Sequence, residues 1–200
     1  RQRQMCIRDS IAMSHRYGAD AEFVLAGGGN TSYKTEDTLY IKGSGTKLAA
    51  ITAEGFVRMD RAKLAEIWSM TFSADEKTRE AEVLAARMAA RLAGEEGKRP
   101  SVETLLHDLF PQKLVLHVHP ALVNGMTCGK NGKNLMAELF PDAIWIPSTK
   151  PGYVLASVCR EKMAKYREKT GKDANLLFLG NHGVLSLIHI SEPTRHAQIS

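Results

Sequence analysis

Val115-Leu116-His117-Val118-His119-Pro120 is the stretch on which the reading of this chain turns. Apolar residues alternate there with histidine, a period of two that belongs to a β-strand and sets side chains at i and i+2 on one face. His117 and His119 therefore point the same way. Two imidazoles on one face suit a divalent cation, which takes each ring nitrogen at ~2.0–2.1 Å. The competing reading is a half-exposed strand face without chemistry, and the spacing alone leaves both open.

Just upstream, Arg99-Pro100-Ser101-Val102-Glu103 opens a helix that continues through Leu105, Leu106, His107 and Leu109 to Pro111. Glu103 sits in the first turn, where negative charge is electrostatically favoured, and His107 lies one turn later on the same face. Singly, they read as a first-turn acid and a surface histidine. A short return from helix to strand makes the two elements neighbours and can bring Glu103 close to His117 and His119. Far downstream, Leu176-Leu177-Phe178-Leu179 reads as a buried strand that delivers Gly180-Asn181-His182-Gly183. His182 is placed there like a ligand or catalytic group, with a plain turn residue as the alternative. Three protein ligands and an open position are the pattern of a catalytic zinc site.

Towards the N-terminus, residues 11–18 read as a helix ending near Gly18, and Phe23-Val24-Leu25-Ala26 reads as a strand running into Gly27-Gly28-Gly29-Asn30-Thr31-Ser32. The glycines allow close backbone approach, so this loop is either an anion cradle or a flexible turn. Leu39-Tyr40-Ile41-Lys42 repeats the arrangement ahead of Gly43-Ser44-Gly45-Thr46. Phe56-Val57-Arg58-Met59 suits another strand, with Asp60 as N-cap of a helix carrying Leu64, Ile67 and Trp68. Ser73-Ala74-Asp75-Glu76 reads as a capping box for a helix to about Gly94, with Ala81, Leu84, Met88 and Leu92 as its packed stripe. Short helices over 120–126 and 133–140, a strand at Ile144-Trp145-Ile146-Pro147, and a helix from near Pro151 to Gly171 complete the pass. Strands alternating with helices predict one α/β layered domain.

At 200 residues, 44% hydrophobic and 24% charged, the chain can bury one sizeable core. No apolar run reaches bilayer length, and Cys6, Cys128 and Cys159 form no paired motif, so the reading is a soluble protein of the reducing cytoplasm, with no membrane partner. The net charge of +5 comes without an arginine stripe interleaved with aromatics, so no nucleic-acid partner is expected and an anionic small substrate accounts for it. Residues 1–10 (RQRQMCIRDS) and 185–200 fit no periodic element and look like translated adapter sequence. They are read as non-native tails around a domain over 11–184.

GGGNTS, KGSGT, PSVE, HVHP and GNHG, in this order across residues 11–184, resemble as a set the class II aldolase/adducin family. The glycine loop and Val-Glu-Thr-Leu-Leu-His look closest to its rhamnulose-1-phosphate-aldolase-like branch, including the aldolase part of aldolase/dehydrogenase proteins. The resemblance implies a layered αβα fold, with a central, mostly antiparallel sheet and helices on both faces, and homo-oligomers, commonly tetramers. It implies Zn²⁺, or another divalent metal, on His117, His119 and His182. Glu103 becomes the general acid/base, with its pKa raised by burial. Gly29, Asn30, Ser44, Gly45 and Ser101 fall at positions that cradle a substrate phosphate.

The implied reaction is cleavage of a ketose 1-phosphate, a phosphorylated sugar, to dihydroxyacetone phosphate and an aldehyde through a metal-stabilised enediolate. Sugar-phosphate epimerisation, sugar-acid-phosphate decarboxylation and a non-catalytic adducin-like interaction module are the alternatives. Retention of all three histidines and Glu103 weighs against the last. Val102 stands where simpler fuculose-phosphate aldolases carry a second serine. The segment that completes the family's sheet after Gly183 is expected to be missing, leaving the domain C-terminally truncated and poorly folded.

Overall fold

The computed structural model describes residues 2–25 and 28–188. Ala26, Gly27 and the stretch beyond 188 lie outside the described residues. The described strands are β1 (Asn30–Lys34), β2 (Thr38–Lys42), β3 (Phe56–Asp60), β4 (Leu114–Val118), β5 (Ile144–Ile146), β6 (Leu176–Leu179) and β7 (Gly183–Ile188). They form one sheet in the order β3-β2-β1-β4-β7-β6-β5. Every neighbouring pair is antiparallel except β5 with β6. The helices are α1 (Gln2–Gly18), α2 (Arg61–Ile67), α3 (Glu76–Ala89), α4 (Thr104–Asp108), α5 (Ala121–Thr127), α6 (Gly132–Leu139) and α7 (Tyr153–Thr170). Among the described residues no helix is long and apolar enough to cross a membrane.

Strand alternation divides the core in two. Leu39, Ile41, Val57, Met59, Val115, Leu177, Leu179 and Leu185 face one side, packing with Leu64, Val83, Leu105, Leu106 and Leu155 from α2, α3, α4 and α7. Tyr33, Tyr40, Phe56, Leu114, Leu116, Val118, Phe178 and Val184 face the other, with Met13 of α1 and Met136 of α6. Both faces of the sheet are therefore packed, and the expected αβα layering with a mostly antiparallel sheet is what forms.

Several boundaries differ from the sequence reading. The backbone is already helical from Gln2, because Ile7 and Ile11, one turn apart, pack against the second core in company with Met13; the aperiodic polar residues around them hide that pairing. No strand forms over the described part of Phe23–Ala26. That segment turns instead, its Glu22 and Phe23 carbonyls accepting from the amides of Ala121 and His119 at 3.0 Å. β1 starts at Asn30, so half of the expected glycine loop is buried strand. Leu185 to Ile188, expected to belong to an aperiodic tail, lie in β7, which pairs with β4 and β6.

The N-cap of α3 is Asp75, accepting from Thr78 N–H at 2.9 Å, while Ser73 Oγ bonds the Asp75 amide. The buried face of α3 is Val83 and Arg87, and Ala81 is exposed. Arg87 is buried because its guanidinium donates to Val102 O at 2.9 Å, a demand no apolar stripe reveals. Asp60 caps α2 as expected, through the amides of Ala62 and Lys63.

β1 carries a buried lysine. Lys34 donates to the carbonyls of His107 and Phe110, each at 2.6 Å, and burial lowers its pKa from the ordinary 10.5 to about 7, against the opposing pull of Asp108. Between those two values the unfolded chain holds more protons at this side chain than the folded one, so the Lys34 contribution to stability rises with pH, by at most about 1.4 kcal/mol per unit. Urea denaturation at pH 7 and pH 9 should show a smaller gain in unfolding free energy for Lys34→Met than for the parent. An unchanged pH slope would mean that Lys34 is charged in the fold.

Candidate active site

β4 is a central strand, with β1 on one side and β7 on the other, and its odd-numbered residues face the layer that contains α4. His117 lies opposite Asn30 of β1 and Leu185 of β7. His119 follows the end of β4, its amide held by Phe23 O. His182 comes from the β6–β7 turn, where Asn181 adopts φ +56°, a left-handed conformation asparagine tolerates, and where His182 N–H bonds Leu179 O at 3.1 Å. The ring centroids are 4.7 Å (His117–His119), 5.0 Å (His117–His182) and 5.2 Å (His119–His182) apart. Their candidate ligand nitrogens all fall within 4.8 Å of one another.

Glycine makes that crowding possible. A Cβ on Gly183 would stand 2.6 Å from both His119 Cδ2 and Val118 O, and one on Gly28 would stand 3.3 Å from His119 Nδ1. Gly29, at φ +76°, would meet Leu48 Cδ1 at 2.8 Å and His117 O at 3.1 Å. Backbone approaches the imidazoles from both sides where a side chain would push them apart.

Glu103 caps the N-terminal end of α4 and is 5% exposed. Oε1 lies 3.2 Å from His117 Nε2 and 3.5 Å from His182 Nε2, while Oε2 accepts from Asn30 Nδ2. The Glu103 amide bonds Ser101 Oγ at 3.2 Å. Burial by itself would raise this carboxyl, as the sequence reading supposes. Charge attraction and hydrogen bonding from His117, with His107 and His182 adding to it, outweigh burial and hold Glu103 below the usual carboxylate range. In the same pair, burial opposes charge on His117 but Glu103 and the Val184 carbonyl raise its pKa. His119 is pushed down to about 4, first by burial and then by the neighbouring imidazoles, and burial lowers His182 likewise.

The donor set fits a divalent cation. His117 Nδ1 lies 3.0 Å from Val184 O, and a carbonyl only accepts, so Nδ1 carries hydrogen and Nε2 is left to face the cluster. His119 Nε2 is 2.9 Å from that atom, shorter than but comparable to the ~3.3 Å edge of a tetrahedron with ~2.0–2.1 Å bonds. Two of the three rings are held neutral by burial, the state in which imidazole ligates. Three nitrogens and an adjacent carboxylate can hold such an ion and handle a proton beside it.

The expected phosphate positions divide. Ser44, Gly45 and Ser101 gather in one corner, because Gly43 bridges Pro100, Ser44 N–H donates to Arg99 O at 2.8 Å and Ser101 N–H to Lys42 O at 3.3 Å. Gly45 has φ +83° and open space around it. Asn30 is engaged with Glu103, beside His117. Val102 is 44% exposed between Ser101 and Glu103.

Two buried residues near Glu103 escape the sequence reading. His107, taken for a surface residue, is fully buried, with Nδ1 2.8 Å from Ser32 Oγ. Lys42 donates to Thr46 O at 2.8 Å, tying down the Gly43–Thr46 turn, and burial lowers its pKa against the attraction of Glu103. The only available signal is the polar alternation of Asn30, Ser32 and Lys34 along a strand. Cys159, close enough to feel Glu103, has its thiol pushed by burial to about 12, which makes it inert.

A family model described as "Class II Aldolase and Adducin N-terminal domain" matches residues 9–187. Among curated proteins, "Uncharacterized oxidoreductase YuxG" of Bacillus subtilis (strain 168) is 26% identical over 204 residues, a match covering 97% of this chain and 28% of that protein. The chain thus spans less than a third of that relative's length. Among solved structures, the N-terminal class II aldolase domain of a conserved protein from Thermoplasma acidophilum is 26% identical with a TM-score of 0.74, over 90% of this chain and 83% of that one. YgbL from Escherichia coli, described as a putative aldolase/epimerase/decarboxylase, shares the fold at 15% identity and TM-score 0.63, over 94% and 80% of the two chains. L-fuculose-1-phosphate aldolase from Thermus thermophilus does so at 14% and 0.57, over 96% and 83%.

The glycine packing generates a direct test. Gly183→Ala should displace the His119 ring and weaken Zn²⁺ binding by about 10- to 100-fold in competition titrations against a chromophoric chelator. Parent-like affinity would show that His119 is not part of the cation site.

Proposed function

The chain belongs to the class II aldolase and adducin family, and from that membership and its donor set we propose that it is a zinc-dependent aldolase of a ketose 1-phosphate. The observation that carries this reading is the buried Glu103 carboxylate 3.2 Å from one imidazole of a three-histidine cluster. His117, His119 and His182 would hold the metal. When bound, it supplies Lewis-acid stabilisation of the negative charge that builds on the substrate's oxygens as the C–C bond breaks.

The remaining work belongs to the chain's own side chains. Glu103 Oε1, the oxygen facing the histidines and ionised at rest, removes a proton from the carbon beside the carbonyl in the condensation direction. In the cleavage direction it returns to that carbon a proton taken up in exchange for the one lost by the substrate hydroxyl that becomes the aldehyde. Asn30 holds the other oxygen, so the carboxylate presents one atom in one orientation. Val184 O keeps the proton of His117 on Nδ1. The hydroxyls of Ser44 and Ser101 and the unencumbered backbone of Gly45 supply neutral donors for a phosphate. Gly29 and Asn30 border it from the β1 side. By the same reading the working form is a homo-oligomer.

Replacing Glu103 with Gln should leave bound zinc unchanged by metal analysis while slowing exchange of the dihydroxyacetone phosphate C–H with solvent deuterium by about 10²- to 10⁴-fold. His117→Ala should abolish zinc binding. Exchange at the parent rate in the glutamine variant would exclude Glu103 as the base, and full zinc content in the alanine variant would exclude the cluster as the metal site.

A further inference from the structure

One side of β1 carries Asn30, Ser32 and Lys34, alternate residues that face the α4 layer, while Thr31 on the opposite face meets Ser14 of α1 at 2.6 Å. Each of the three bonds the α4 segment in turn. Asn30 Nδ2 donates to Glu103 Oε2, Ser32 Oγ lies 2.8 Å from His107 Nδ1, and Lys34 Nζ donates at 2.6 Å to the carbonyls of His107 and Phe110. The spacing is commensurate. Two strand residues advance ~6.6 Å and four helical residues ~6.0 Å, so consecutive rungs on the strand meet consecutive turns on the helix. The His107 amide in turn bonds Glu103 O at 2.9 Å, tying the second rung to the first through the backbone.

These polar rungs are set in an apolar layer formed by Leu105, Leu106 and Phe110. Apolar packing favours burial of that helix face but is tolerant of small slides and rotations. Directional hydrogen bonds between fully buried partners are not, since a shift that breaks one strands a polar group out of reach of water. Ser32 and His107 are both 0% exposed, and Glu103 stands one turn away.

We propose that Ser32 and His107 are a positioning pair for Glu103, a buried rung that fixes the axial and rotational setting of α4 on β1 and thereby aims Oε1 at the histidine cluster. The pair touches neither substrate nor metal and acts through Glu103. Burial pushes His107 down to about 3, so it stays neutral and the rung holds across the working pH range. This proposal rests on the reading of Glu103 as the proton-transfer residue. It goes beyond that reading by assigning a task to two residues outside the set of ligands and phosphate donors.

The test uses Ser32→Ala, which removes one oxygen, together with His107→Leu and His107→Asn, whose amide can still reach Ser32. With dihydroxyacetone phosphate and solvent deuterium, Ser32→Ala and His107→Leu should lower kcat for exchange by about 10- to 100-fold with zinc content and KM close to the parent. His107→Asn should recover most of the loss. In a Glu103→Gln background the Ser32→Ala change should have no further effect, because the residue it positions is already disabled.

A rise in KM with kcat unchanged, or an equal loss in both backgrounds, overturns the proposal. An independent readout is the set of His117 ring resonances in the metal-free protein, which report the Glu103 contact without substrate. They should move in Ser32→Ala towards their positions in Glu103→Gln, and parent-like resonances overturn the pairing. Should the parent catalyse no exchange at all, the aldolase reading fails, and these resonances still decide whether the rung sets Glu103. Should His107→Leu not fold, Ser32→Ala removes the same rung with a smaller change.

Discussion

A carboxylate held almost out of water is the constraint around which the rest of this molecule is arranged. Glu103 is 5% exposed, and an ionised group at such depth is tolerated only when charge and hydrogen bonds surround it. Here they arrive from three places in the chain: the side-chain amide of Asn30 on β1, His117 on β4 and His182 on the β6–β7 turn. Moving any of these elements would expose the charge to an unpartnered interior, so the sheet order and the placement of α4 are tied to this one side chain. The coupling runs the other way too, since Glu103 raises His117 above its neighbours His119 and His182.

Close approach is the second requirement. Three rings with centroids within about 5 Å of one another, packed against strand ends, need backbone without side chains around them. Gly183 and Gly28 provide it around the His119 ring, and Gly29 gives the same room to the His117 carbonyl. These glycines are spatial complements of the histidines, although they come from opposite ends of the chain. The glycine-rich loop thus serves the histidine cluster directly, in addition to whatever it contributes to anion binding.

Much of the architecture is legible in the residues. Alternation marks β4, an unbroken apolar run marks β6, Asp60 announces α2, and Gly171 stops α7 with φ +69°. Where the reading fails, a tertiary contact outweighs the local pattern. Asn30, Thr31 and Ser32 look like loop because they are polar, yet they are buried strand, hydrogen-bonded to the α4 segment on one face and to α1 on the other. The packed face of α3 is displaced from the apolar stripe because Arg87 turns inwards to the Val102 carbonyl. The strand expected near Phe23 gives way to a turn whose carbonyls are needed by the amides of His119 and Ala121.

The sequence by itself determined the layered α/β class and offered the three imidazoles and the carboxylate as candidates, because period-two alternation and donor chemistry are properties of neighbouring residues and of side-chain type. Tertiary structure alone decided that Asn30 grips Glu103, that His107 is buried against Ser32, and that Glu103 lies below the carboxylate range when burial alone would raise it. The first two depend on groups more than seventy residues apart meeting at hydrogen-bond distance, and the third chiefly on His117 of the next strand folding back onto the start of α4. Electrostatic balance in a dry interior is set by what is adjacent in space, and no local pattern encodes that adjacency.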